Sequence, residues 1–192
     1  ATGLGNVEWD YAGLDPVARI AQCPLVVGVR GNSPWKTWKD FLADAANNPD
    51  KYKFGHAGTG SVGHLMNVAV CSGAKVIFVP IGADQRFAAL LGGHIDLLSA
   101  PAAGFLKFAE AGHMRPLIVG SEKRIPPFPE TPTTGELGID FQVDLMYGLF
   151  APPNTSREVK DKVRTALKRV IINYKPLQTY IETNTMKLDY LD

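Results

Sequence analysis

Cysteine is nearly absent. Cys23 and Cys71 are the only two, too few for a disulfide framework and at no metal-binding spacing. Each is expected as a separate buried thiol, because free cysteine packs as a small hydrophobe. Long apolar runs are also missing: none approaches the roughly 18 residues of a bilayer-spanning helix. The opening ATGLGNVEWD has neither the basic start nor the apolar stretch of a signal peptide. That fits a cytoplasmic protein and equally a secreted one already processed. Neither sign of charge dominates, with 20 Lys and Arg against 19 Asp and Glu. This argues against a nucleic-acid binder, which normally carries a basic stripe. Residues 151–192 hold eight basic and five acidic residues, an excess that reads as a solvated helix face. What is present is ordinary globular material. Apolar residues make 45% and charged residues 20% of the 192, which excludes disorder and fibrous repeats. The length suits one domain or slightly more, with a true core.

Residues 17–30, VARIAQCPLVVGVR, read as an extended strand that bends at Pro24. Ser33 and Pro34 predict a helix start, as cap and first position, with Trp35, Trp38, Leu42 and Ala45 on one face. From residue 52 short apolar strands alternate with helices of similar length: KYKFGHA, SVGHLMNVAVCS, KVIFVP, DQRFAALL, HIDLLSA, PAAGFLKFAEA and MRPLIVG. That alternation predicts βαβ crossovers and a parallel sheet. Residues 121–135 hold four prolines and no periodicity, so an ordered loop or a lobe boundary is expected. Residues 140–151 form a second extended run ended by Pro152 and Pro153. Thr155 and Glu158 predict a capping box for a helix to about Asn173, with Val159, Val163, Leu167 and Val170 as its apolar face. A weaker helix follows Pro176.

The sharpest local feature is Gly55-His56-Ala57-Gly58-Thr59-Gly60-Ser61-Val62-Gly63-His64, joining a strand to a helix. Such a junction exposes backbone N–H groups at a helix N-terminus, an anion site. The same residues also suit a tight turn that binds nothing. Gly58, Gly60 and Gly63 match the dinucleotide fingerprint, but the second strand ends at Val79-Pro80-Ile81 and its first acid, Asp84, lies beyond the turn. A nucleophile elbow fails because Thr59 stands where glycine is needed. The turns Ile81-Gly82-Ala83-Asp84 and Ser99-Ala100-Pro101-Ala102 each lead into a helix. Strand C-termini of a parallel sheet share an edge, so three helix N-termini near Ser61, Asp84 and Pro101 are expected at one crevice suited to a small carboxylate. Arg86 is the basic side chain near these turns and reads as a solvated helix residue. His56, His64, His94 and His113 show no metal spacing, so hydrogen-bonding or surface roles are expected. Asp96 alternates with Ile95 and Leu97 and is a candidate to point out of the core. Trp35 and Trp38 read as core.

A larger pattern runs through Pro16–Ala21, Ser33–Thr37, Gly55–Leu65, Val79-Pro80, Leu90–Asp96, Ala111–Leu117, Pro129–Thr133, Glu136–Gly138 and Tyr147–Pro152. In order and spacing it resembles the tripartite tricarboxylate transporter solute receptors, the Bug or TctC family. The resemblance implies an α/β, periplasmic-binding-protein type II (Venus flytrap) fold, and a periplasmic receptor that passes a small organic acid to membrane permease subunits. It implies no catalysis, no cofactor and no metal. Residues 1–30 would hold a crossing strand and a remnant of lobe 1. Residues 31–139 would be lobe 2, a complete doubly wound lobe. Residues 140–192 would be the return strand and C-terminal helices of lobe 1. The ligand-binding residues implied are Gly58, Thr59, Gly60, Ser61, His64, Ile81, Gly82, Asp84, Ser99, Ala100, Pro101, Ala102 and Tyr147, with ligands among di- and tricarboxylates, amino acids and aromatic acids. The family's VPYKG turn reads Val79-Pro80-Ile81-Gly82 here, and its frequent Trp is Met146. Against the family pattern the N-terminal third is missing, so the helices of lobe 1 are expected to show an uncovered apolar face and to favour a homodimer. The alternatives are a nucleotide- or phosphate-binding enzyme domain using the Gly58–Gly63 turn, and a truncated fragment that only self-associates.

Overall fold

The computed structural model describes residues 13–142 and 144–191. The opening ATGLGNVEWD and Val143 of the second extended run lie outside the described residues. The elements are β1 (Asp15–Arg30), α1 (Trp38–Asn47), β2 (Lys53–His56), α2 (Val62–Val70), β3 (Ile77–Pro80), α3 (Arg86–Leu91), β4 (Leu97–Pro101), α4 (Ala102–Glu110), β5 (Met114–Val119), β6 (Asp144–Ala151), α5 (Arg157–Asn173), α6 (Lys175–Thr183) and β7 (Lys187–Leu191). They form two compact units. One comprises the described residues to Cys23 together with those from Leu145; the other is Pro24–Asp144.

The second unit is built on strands in the order β3-β2-β4-β1-β5. Strand β2 is parallel to β3 and to β4. The alternation does not say where β1 goes: expected as a crossing strand, it enters this sheet. Its second half lies between β4 and β5 and is antiparallel to both, pairing Val26 with Ala100 and with Val119. The alternating strands and helices dictate the parallel set, but nothing local dictates where an earlier strand inserts. Leu25, Val26, Val27 and Val29 are all buried, so both faces of this strand are covered and its near-continuous apolar run follows. Gly28 is required there. A Cβ on it would stand 2.5 Å from Phe105 Cε1 and 2.7 Å from the Arg115 carbonyl oxygen.

The start expected for α1 at Ser33 is also corrected. Thr37 caps the helix, its Oγ1 accepting from Asp40 N–H while the Asp40 carboxylate accepts from Thr37 N–H. Ser33 Oγ instead accepts from Trp35 N–H. Trp35, Trp38 and Phe41 are buried and meet Tyr52 and Phe54 in an aromatic cluster. The proline-rich segment is an ordered loop of this unit. Thr133 and Thr134 are fully buried, and Glu136 ties Arg124 to the Thr133 N–H. Cys71 is a buried thiol with its pKa pushed up to about 12 by burial, Cys23 is likewise buried, and neither forms a disulfide.

The other unit holds the first half of β1 with β6, β7, α5 and α6; β6 and β7 both pair with β1. Ser156, not Thr155, caps α5: its Oγ accepts from Val159 N–H, while Thr155 donates to the Pro152 carbonyl. Arg164 donates to the carbonyls of Val17 and Pro16, and Lys160 pairs with Asp15 at 2.9 Å. Ile171 and Ile181 are buried, whereas Val159, Val163 and Val170 are exposed. The short β7, which composition did not announce, is fastened by Arg19 to Asp189 at 2.7 Å.

Candidate functional site

Strands β2, β3 and β4 end at His56, Pro80 and Pro101. They are adjacent and parallel, so the turns that follow lie along one edge of the sheet in the Pro24–Asp144 unit. Three hydrogen bonds lock this edge. Ile81 N–H donates to the His56 carbonyl at 2.8 Å. Ser99 Oγ donates to the Gly63 carbonyl at 3.2 Å. Asn67 Nδ2, fully buried on α2, donates to the Gly55 carbonyl at 3.2 Å.

The β2–α2 turn is the most developed of the three. Ser61 caps α2, its Oγ accepting from His64 N–H at 3.2 Å, which leaves the hydroxyl proton available to an outside acceptor. Ser61 N–H donates to the Gly58 carbonyl. Gly58 and Gly60 have φ of +152° and +76°, the region glycine alone enters freely. Their N–H groups are held by histidine: Gly58 donates to His56 Nδ1 at 3.2 Å, and Gly60 to His64 Nδ1 at 3.1 Å. The two rings are stacked, centroids 4.5 Å apart and planes 30° apart, with Phe78 edge-on to His64 at 5.5 Å. Burial holds the His56 imidazole below its ordinary pKa, and His64 pushes the same way. Among the described residues, no protein acceptor takes the N–H groups of Thr59 or Val62. Thr59 is exposed and Gly58, Gly60, Ser61 and His64 are half-buried.

The other two turns are plainer. Gly82 and Asp84 are exposed and Ile81 half-buried. Helix α3 has six residues, and its N-cap, Gln85, makes no side-chain capping bond. Helix α4 begins after Pro101, also without a side-chain cap. Ser99, Ala100 and Ala102 are buried and support the edge from behind, while Pro101 is half-buried. Asp84 is the one formally charged residue in the three turns. The turns themselves therefore offer main-chain N–H groups and hydroxyls, with the half-buried Arg86 opening α3 just beyond the second. Tyr147 lies on β6, in the other unit, and is exposed. Asp96 stands away from the edge and accepts from Lys53 N–H at the start of β2. Among the described residues, no group of three or more His, Cys, Asp or Glu side chains could hold a metal ion.

Two residues that shape the turn were not singled out from sequence as site residues, His56 and Asn67. A signal for His56 existed: two histidines bracket a glycine-rich loop. Asn67 sits inside an apolar helix face, and nothing in the sequence sets it apart.

Known proteins match this architecture. The model of the tripartite tricarboxylate transporter family receptor matches residues 4–188. The chain belongs to this receptor family. A UPF0065 protein of Cupriavidus necator is 31% identical over 170 residues, covering 86% of this chain and 52% of that protein. The crystal structure of a TctC solute binding protein from Polaromonas, without ligand, superposes with a TM-score of 0.76 at 30% identity, covering 97% of this chain and 65% of that one. The R. palustris protein Rpa4515 with adipate shares the fold, with a TM-score of 0.84 at 24% identity, over 94% of this chain and 62% of that one. The chain spans about half the length of the curated relatives it matches. No helix among its described residues is long and apolar enough to cross a membrane.

Proposed function

We propose that the turn edge of the Pro24–Asp144 unit holds a carboxylate of a small organic acid, and that the chain acts as an extracytoplasmic, periplasmic receptor for a tripartite tricarboxylate-type permease. The observation that carries this reading is the β2–α2 turn. The exposed Thr59 and the first turn of α2 present N–H groups without protein acceptors, beside a Ser61 hydroxyl whose oxygen already serves as cap. Donors at a helix N-terminus favour a negative charge, and donor-lined turns bind a carboxylate without a buried cation to neutralise it. Gly58, Gly60, Thr59 and Ser61 form the principal wall in this proposal. Ile81, Gly82 and Asp84 flank it on one side and Pro101 on the other, and the site needs neither cofactor nor catalytic group. The adipate found with the R. palustris relative supports a dicarboxylate as the first ligand to try.

Calorimetric and thermal-shift titrations with adipate, malate and citrate test this. Saturable binding is expected. At ligand about a hundredfold above Kd, stability should rise by about 2.7 kcal/mol. Binding of a dinucleotide or a phosphate ester with no response to any carboxylate would overturn it.

A further inference from the structure

We propose that His56 and His64 form a positioning pair whose neutral rings brace the Gly58–Ser61 loop, and that acid, by protonating a ring at Nδ1, releases the loop and the carboxylate with it. The proposal rests on the carboxylate reading above for its second half only. A ring nitrogen accepts an N–H bond only while it carries no proton itself. Both Nδ1 atoms accept here, from Gly58 and from Gly60, so both neutral rings carry their proton on Nε2. Protonation turns Nδ1 into a donor facing a donor. Gly58 or Gly60, both half-buried, then loses its partner and faces another donor in its place.

The consequences spread because the loop is linked in series. The Gly58 carbonyl accepts from Ser61 N–H, and Ser61 caps α2 through His64 N–H. His64 therefore supports the loop twice, with its main chain at the cap and with its ring at Gly60. Two rings stacked with centroids 4.5 Å apart also oppose each other's charge, so the first proton should suffice to open the loop. Strand β3 contributes the edge of Phe78, and β4 contributes Ser99, whose hydroxyl is committed to the Gly63 carbonyl. The charged residue of α3 is Arg86, with its guanidinium 5.3 Å from the Phe87 ring centre. Asp84 is exposed in the turn after β3. Lys53 lies at the opposite end of β2, where its N–H meets the Asp96 carboxylate. Beside burial, the His64 ring disfavours a charge on His56.

The test uses the 192-residue chain and two readouts. Amide and imidazole NMR resonances are followed from pH 8 to pH 5.5, and adipate affinity is measured by calorimetry over the same range. His56→Asn and His64→Asn place an acceptor oxygen near the Nδ1 position without a titrating ring. The Gly58 and Gly60 amide resonances should move with the ring titration. Wild-type affinity should fall about tenfold per pH unit below it, the slope of one linked proton. The double Asn variant, whatever its affinity at pH 8, should lack that slope, since the ionisation of adipate is common to both proteins. Amides that stay fixed while the rings titrate would overturn the proposal, as would parallel loss of affinity in wild type and variant. If no acid binds at any pH yet the amides follow the rings, the carboxylate reading fails and the brace stands. If the Asn variants do not fold, the wild-type amide titration decides alone.

Discussion

Gly63 shows how closely a single residue is fitted at the sheet edge. A Cβ there would stand 2.8 Å from Ser99 Oγ, the atom that ties β4 to α2 through the Gly63 carbonyl. Gly63→Ala should therefore destabilise the protein by about 1–3 kcal/mol through overpacking, read as a lower urea midpoint at unchanged m. Adipate binding should weaken in the same variant, because the Ser99 bond it disturbs anchors the first turn of α2. An unchanged midpoint would mean that Ser99 turns away freely. The sequence marked this glycine for a different reason, as the third member of a dinucleotide fingerprint, whereas its contact is with a serine two strands along the chain. His56 illustrates the same limit. Its spacing from His64 is visible in the chain, but the stacking and burial that make it a structural acceptor depend on where β3 and β4 come to lie.

Among the elements, α2 is the one on which the candidate site depends, and its cap is a single hydroxyl. Ser61→Ala removes the acceptor for His64 N–H and should cost about 1 kcal/mol of stability. It should also weaken carboxylate binding by more than that loss of stability explains, because the same hydroxyl is a proposed donor. Equal effects of Ser61→Ala and of Thr37→Ala, a cap remote from the site, would remove Ser61 from the binding wall. Helix starts were only partly legible. Ser61 stood out because a glycine-rich loop precedes it. At α1 the start expected at Ser33-Pro34 moves to Thr37, whose reciprocal box with Asp40 satisfies two N–H groups rather than one. At α5 adjacent Thr155 and Ser156 both suit a cap, and the Thr155 hydroxyl is drawn back to the Pro152 carbonyl. The parallel set β2 to β4 was readable from alternation, since each helix brings its strand back in the same direction. The insertion of β1 and the existence of β7 were not, because both depend on pairing between distant segments.

Across the whole molecule the buried side chains are unevenly shared. In the Pro24–Asp144 unit, β1, β4 and β5 carry a nearly unbroken set of buried residues, from Leu25 to Val29, Leu97 to Ala100 and Leu117 to Val119. In the other unit α5 and α6 each bury one residue, Ile171 and Ile181, and Ile172, Tyr174 and Tyr180 stand exposed. Hydrogen exchange followed by mass spectrometry should therefore show β4, β5 and the second half of β1 exchanging slowest, with α5, α6 and β7 opening at much lower free energy. Comparable protection in α5 and β4 would mean that the exposed apolar side chains are covered in solution, as by a second copy of the chain. The place of β1 also has a bearing on synthesis. This strand leaves the ribosome well before its neighbours β4 and β5, and its second half must come to lie between them. Until Met114–Val119 has emerged, the nascent chain carries a valine-rich ribbon with at least one open side, the kind of segment that adheres to others of its sort. The time a chaperone must shield it is set by how long translation takes to reach that last partner.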